Sequence, residues 1–159
     1  MTIAADGRIR VRWTLLAFIV VVVGMGFLIG FVIRPDDWYR SLAKPSFNPP
    51  DWIFGPVWAV VYLLIAIAGW RTWMRESKSA ALSLWVAQLA VNYSWTPVFF
   101  GLHATGYALS VILVLLCLIL AFIVNHLRED PTSALLFLPY ACWVVFASVL
   151  NAAIYWLNS

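Results

Sequence analysis

Five apolar runs, each close to the length of a membrane-crossing helix, constrain this chain more than any other feature. A helix needs about 20 mostly apolar residues to cross a hydrocarbon core of about 30 Å. The runs cover residues 13–33, 53–73, 80–100, 106–126 and 134–157. Residues 13–33, 53–70 and 79–127 contain no Asp, Glu, Lys or Arg, and neither does the stretch after Asp130. Only 11% of the 159 residues are charged, against about 25% in a soluble domain. A soluble core of this size has no room for so much apolar surface, so lipid must be its solvent. The expectation is an all-α membrane protein. It is a single bundle of five transmembrane helices over residues 1–159, with one long loop at 34–52.

Cationic loop residues orient the spans. Arg8, Arg10, Arg12, Arg71, Arg75, Lys78 and Arg128 fall on the side of the N-terminus, and only Arg34, Arg40 and Lys44 on the other. Seven against three puts the N-terminus in the cytoplasm and the loop 34–52 outside. The other turns are short, which makes sequential neighbours antiparallel in one tight bundle. The first run has the basic flank of a signal peptide. It is long for an h-region, however, and no A-x-A site follows, so it reads as a retained span. Gly24, Gly26 and Gly30 would let a second backbone approach, either within the bundle or across a dimer face.

Several functions lack the residues they need. Ion-coupled transporters keep ionisable groups inside the membrane. These spans offer only His103, in an outer turn, and His126, at the cytoplasmic end of the fourth, and both read as interfacial. There is no nucleophile with a base, no paired carboxylates, no metal cluster and no Gly-rich phosphate loop. No inverted repeat fits an odd number of helices. Cys117 and Cys142 are in no metal or redox spacing and read as small buried hydrophobes. A net charge of +3 is too small and dispersed for nucleic acid.

What remains is an aromatic constellation. The outer loop carries Trp38, Tyr39, Phe47 and Trp52 among Pro45, Pro49 and Pro50. It is stiff and suited to lie on the bundle, as a loop anchored by Trp38 and Trp52 or as a lid. In the third span Gln88, Asn92, Trp95 and Phe99 share one face. It must look inward, because amides facing lipid would lack partners. They serve there as interhelical hydrogen bonds or as ligand contacts. In the fifth span Pro139, Trp143, Ala147 and Asn151 recur every four residues. Trp143 is near mid-span, where its indole N–H needs an acceptor. Trp58 and Tyr62 share a face of the second span. The orientation brings Trp58, Asn92, Trp95, Trp143 and Ala147 to similar depth beneath the loop. Such a site would have flat aromatic walls, a few N–H donors and no charge, and would suit a large, flat, apolar ligand.

Five motifs now carry a resemblance: W-Y-x-x-L-x-K-P at 38–45, P-P-x-W at 49–52, F-G-P-V-W-x-x-x-Y at 54–62, Q-x-x-x-N-x-x-W-x-P-x-F-F at 88–100 and P-Y-x-x-W-x-x-F-A-x-x-L-N at 139–151. Through them the chain resembles the tryptophan-rich sensory protein / translocator protein family, also called the peripheral benzodiazepine receptor family. The resemblance implies a five-helix bundle, usually a homodimer, that binds tetrapyrroles such as protoporphyrin IX and haem. Eukaryotic relatives also take benzodiazepine-type molecules and cholesterol. It assigns the pocket to Tyr39, Pro49, Trp58, Asn92, Trp95, Trp143 and Ala147, with Trp58 and Asn92 donating hydrogen bonds to the ligand. Trp58 and Trp143 match the tryptophans implicated in light-dependent porphyrin breakdown. The cholesterol motif is incomplete, because Tyr155 is followed by Trp156, Leu157, Asn158 and Ser159 with no basic residue.

The expected function is therefore that of a membrane receptor or sensor for porphyrins, acting in porphyrin regulation or stress response. No cofactor is obligatory, and porphyrin or haem is the ligand. Porphyrin transport is the second reading, and light-dependent degradation by Trp58 and Trp143, the only enzymatic one, the third. The charge bias favours a bacterial cell (inner) membrane. Some members of the family lie in outer membranes, so that location stays open.

Overall fold

The structure is a computed structural model that describes residues 3–75 and 80–159, with side chains from Val11 onward. Lys78 and the side chains of Arg8 and Arg10, which enter the charge count above, lie outside the described residues. The regular elements among the described residues are all helices: α1 (Ile3–Val32), the short α2 (Asp37–Ser41), α3 (Phe54–Arg75), α4 (Ala80–Thr96), α5 (Thr105–His126) and α6 (Pro131–Leu157). A 3-10 turn, Asp51–Ile53, leads into α3, and a π turn, Pro97–Gly101, continues α4.

Four segments are long and apolar enough to cross a membrane by length and composition: Val11–Val32, Asp51–Arg75, Thr105–His126 and Pro131–Leu157. The expected third span differs. Its α-helical part has 17 residues, about 26 Å at 1.5 Å per residue, short of the hydrocarbon thickness. Pro97 has no N–H to donate and its ring crowds the carbonyl of the preceding turn. The helix therefore widens into the π turn, where Leu102 N–H reaches Pro97 O at 2.9 Å. His103 then adopts a left-handed φ of 54°, which lets the chain reverse into α5.

The long helices pack in the order α1, α3, α6, α5, α4, and α4 closes back more loosely on α1 and α3. The core between them holds Val61, Ile65, Ala66, Leu89, Ile112, Leu115, Ile119, Phe137, Tyr140 and Val144. Helix α1 is peripheral: its buried residues are Val22 and Gly26, and Leu16, Val20, Met25, Leu28 and Phe31 stay exposed. Gly26 has a packing reason, since a Cβ there would overlap the Tyr62 ring, whereas Gly24 and Gly30 face open space. Gly69 likewise makes room for the Trp85 indole, which donates to Ile65 O at 2.9 Å.

Two expectations about single residues are corrected. Cys117 and Cys142 are exposed, on outward faces as apolar as the core. His126 is buried, stacked on Phe122 at 3.9 Å and within 3.0 Å of the Thr72 hydroxyl. Beside it Arg71, counted above only as a loop cation, forms an ion pair with Asp130 at 2.7 Å. Asp130 precedes Pro131 at the start of α6 and also accepts from the Ser133 hydroxyl. Burial alone would raise its carboxyl, but the bonds from Arg71 and Ser133 outweigh that and hold it below its ordinary pKa.

Residues 34–52 lie on the opposite end of the bundle, hereafter the loop end. Asp36 caps α2 by accepting from Tyr39 N at 3.1 Å, and its other oxygen meets His103 at 3.0 Å. Trp38 stacks on His103 at 4.1 Å. Asn158, just past α6, exchanges two hydrogen bonds with Ala43, at 2.9 and 3.0 Å. The loop is thus tied to the α4–α5 turn and to the end of α6. Trp38 is an anchor to the bundle. Trp52 makes no such stack and stands 73% exposed.

Candidate ligand-binding cavity

Beneath the loop a cavity of about 600 Å³ opens between the helices, within the roughly 300–1,000 Å³ usual for small-molecule sites. Six of the seven expected residues line it: Tyr39 from α2, Trp58 from α3, Asn92 and Trp95 from α4, and Trp143 and Ala147 from α6. Pro49 is not among the lining residues. It is half-buried in the loop, where its carbonyl accepts from the Asn48 side chain at 3.0 Å.

The polar floor is built from residues whose amides had to face inward. Tyr62 OH donates to Asn92 Oδ1 at 3.0 Å, and Asn92 Nδ2 donates to Tyr140 OH at 2.8 Å. Tyr140 OH donates in turn to Gln88 Oε1 at 3.1 Å, and Gln88 Nε2 ends the chain on Trp85 O at 3.0 Å. Both alternatives for this helix face are therefore present in part. Gln88 is an interhelical bond, while Asn92 is one and also lines the cavity. The Asn92 amide keeps a second hydrogen.

The walls are aromatic. Trp58 stacks on Tyr62 at 5.2 Å. Trp95 stacks on Phe99 at 5.0 Å, and its indole donates to Asn151 Oδ1 at 3.1 Å. Asn151 is held in turn by its own bond to Thr105 O at 2.9 Å. Trp95 is thus a wall with no donor to spare. Trp143 is different. Its ring meets Phe54 edge-on at 5.8 Å and Phe146 at 5.4 Å, but its buried Nε1–H has no hydrogen-bond partner. Buried polar groups are almost always paired, and this nitrogen, enclosed by protein atoms, is an exception.

Tyr39 closes the roof, buried against Phe99 and Phe100 with centroids at 6.2 and 5.1 Å. Lys44 donates to its carbonyl at 2.7 Å and sits over its ring at 4.4 Å. Burial, and after it the charge of Asp51, push the Tyr39 phenol above its ordinary pKa.

The contribution of α1 was not legible in the sequence. Gly26, Phe27, Gly30 and Phe31 line the cavity from that helix, and the apolar pattern of a helix bathed in lipid gives no sign of which side does so. Asn151, by contrast, shared the four-residue recurrence with Trp143 and Ala147 and could have been read as a pocket residue.

The sequence pattern of the TspO/MBR family matches residues 17–157. The chain belongs to the TspO/MBR family. It is 36% identical over 139 residues to the tryptophan-rich sensory protein of Cereibacter sphaeroides, an alignment covering 87% of this chain and 88% of that one. To Protein CrtK of Rhodobacter capsulatus it is 39% identical over 133 residues, 81% of this chain and 83% of the other. To the human translocator protein it is 34% identical over 138 residues, 84% of this chain and 80% of the other. Family membership and the long apolar helices together make this an integral membrane protein.

Proposed function

We propose that this member of the TspO/MBR family is a membrane receptor or sensor that binds tetrapyrroles, protoporphyrin IX or haem, in the cavity under its loop. The observation that carries the proposal is an aromatic cavity of about 600 Å³ lined by Trp58, Trp95 and Trp143, with Asn92 among its polar groups. A tetrapyrrole supplies a flat apolar body for the walls of Trp58, Trp95 and Trp143, and heteroatoms for the second Asn92 hydrogen. A role in porphyrin regulation or stress response follows from such binding and accords with the sensory name of one relative.

In the same reading the bundle crosses the bilayer five times, the helical run of α4 and its π turn making the crossing that α4 is too short to make alone. The N-terminus is cytoplasmic, the cavity opens outward, and the membrane is the bacterial cell membrane. The working unit is a homodimer, for which the exposed apolar face of α1, with Gly24 open, supplies a surface.

The test is a titration of detergent-solubilised protein with protoporphyrin IX, followed by Trp fluorescence. Saturable quenching is expected, weakened by Trp58→Phe and by Asn92→Ala. Unchanged affinity in both variants would show that the ligand binds elsewhere. The light-dependent reading has one observation in its favour: Trp58 and Trp143 both line the cavity, within reach of a porphyrin bound there. Porphyrin breakdown under light by the wild type and not by Trp143→Phe supports it, and equal bleaching in both ends it.

A further inference from the structure

Three cations lie at the loop end of the bundle, and two are engaged. Arg40 pairs with Asp37 at 3.1 Å, and Lys44 is held by the Tyr39 carbonyl and ring. Arg34, just past the end of α1, is the third, and it lines the cavity. Its Nε donates to Phe31 O at 3.0 Å, and its guanidinium rests over the Phe31 ring at 4.3 Å. These contacts orient the group but use only one of its five N–H donors. No carboxylate pairs with it among the described residues. Its two terminal nitrogens remain as a fork of the shape that matches a carboxylate.

The surroundings favour such a partner. Phe27, Phe31, Ile33 and Pro35 share the cavity lining with Arg34, and the Arg34 side chain is itself exposed and reachable. The nearby acid, Asp51, lies on the same rim without pairing to Arg34. Asp51 stands in the first turn of the 3-10 segment that leads into α3.

We infer that Arg34 recognises an oxyanion on the cavity's ligand, which makes the site selective for flat apolar molecules that carry a carboxylate. The inference rests on the ligand-binding reading above and adds to it a selectivity that Trp58, Asn92 and Trp143 do not supply. A lipid phosphate offers the same oxyanion chemistry, and the experiment separates the two sources.

Protein in maltoside detergent is titrated with protoporphyrin IX, a dicarboxylic acid, and with its dimethyl ester, which has the same macrocycle without the charges. The free acid should bind about two- to fivefold more tightly, the range for an exposed ion pair. Arg34→Gln should weaken the acid and leave the ester unchanged, and Arg34→Lys should restore part of the difference. Equal affinity of acid and ester for the wild type, or equal loss of both in Arg34→Gln, overturns the inference and leaves the cavity reading standing. Absence of saturable binding by either ligand overturns both. Loss of the acid's advantage on moving from maltoside to phosphatidylglycerol nanodiscs assigns Arg34 to lipid phosphate and overturns it as well.

Discussion

A buried donor without an acceptor costs about 1–3 kcal/mol, and the Trp143 indole carries that cost in the ligand-free protein. Trp143→Phe removes the cost with the donor. The ligand-free variant should therefore melt no lower than the wild type, while the smaller aromatic wall weakens protoporphyrin IX binding about two- to fivefold. Thermal unfolding with and without ligand checks both halves, and a large drop in the ligand-free melting temperature would show that Trp143 is a packing residue first. Glycines make a second comparison. Gly69→Ala places a methyl group in the Trp85 ring and should destabilise by about 1–3 kcal/mol. Gly24→Ala, with open space beyond it, should be close to neutral. Sequence pattern gave these glycines no such distinction, because the difference lies in which neighbour stands opposite each.

Between elements, the Arg71–Asp130 pair ties α3 to the start of α6 at the end remote from the cavity. Asp130 is 3% exposed and Arg71 33%. Breaking a fully buried pair costs about 3–5 kcal/mol, and the partial exposure of Arg71 lowers the expectation for Asp130→Ala to about 2 kcal/mol. The same pair sets a pH dependence. The folded-state pKa of Asp130 is depressed, so its contribution is complete above the unfolded value of about 3.9. It is lost as pH falls through the lower folded value. Wild type should therefore lose stability over Asp130→Asn on acidification below about pH 4, and parallel acid-unfolding curves for the two would exclude the pair as the cause. Element boundaries were legible to within a few residues where charge followed a run, as at His126, just before Arg128. The π turn was not, because Pro97 signals a break but not whether the helix stops there or widens and continues.

Taken whole, the bundle keeps its bound loop and cavity at one end and its ion pair and buried His126 at the other. The topology proposed here predicts that a cysteine at exposed Ser46 reacts with a membrane-impermeant maleimide in intact cells. A cysteine at exposed Glu129 should react only after permeabilisation. The reverse pattern would invert the molecule. Residue spacing by itself determined a great deal: the helical class, the limits of the long apolar runs, and the inward faces of α4 and α6. Gln88, Asn92 and Trp143 could not face lipid, and that exclusion needs no coordinates. The sequence could not tell core from lipid face for residues apolar in both settings, which is why Cys117 and Cys142 were misplaced and the α1 wall of the cavity went unseen. Hydropathy measures the cost of leaving water, and lipid and protein interior exact nearly the same cost. Only the tertiary structure decided which apolar faces meet, which donor is left without an acceptor at Trp143, and which cation at the cavity rim still has its hands free.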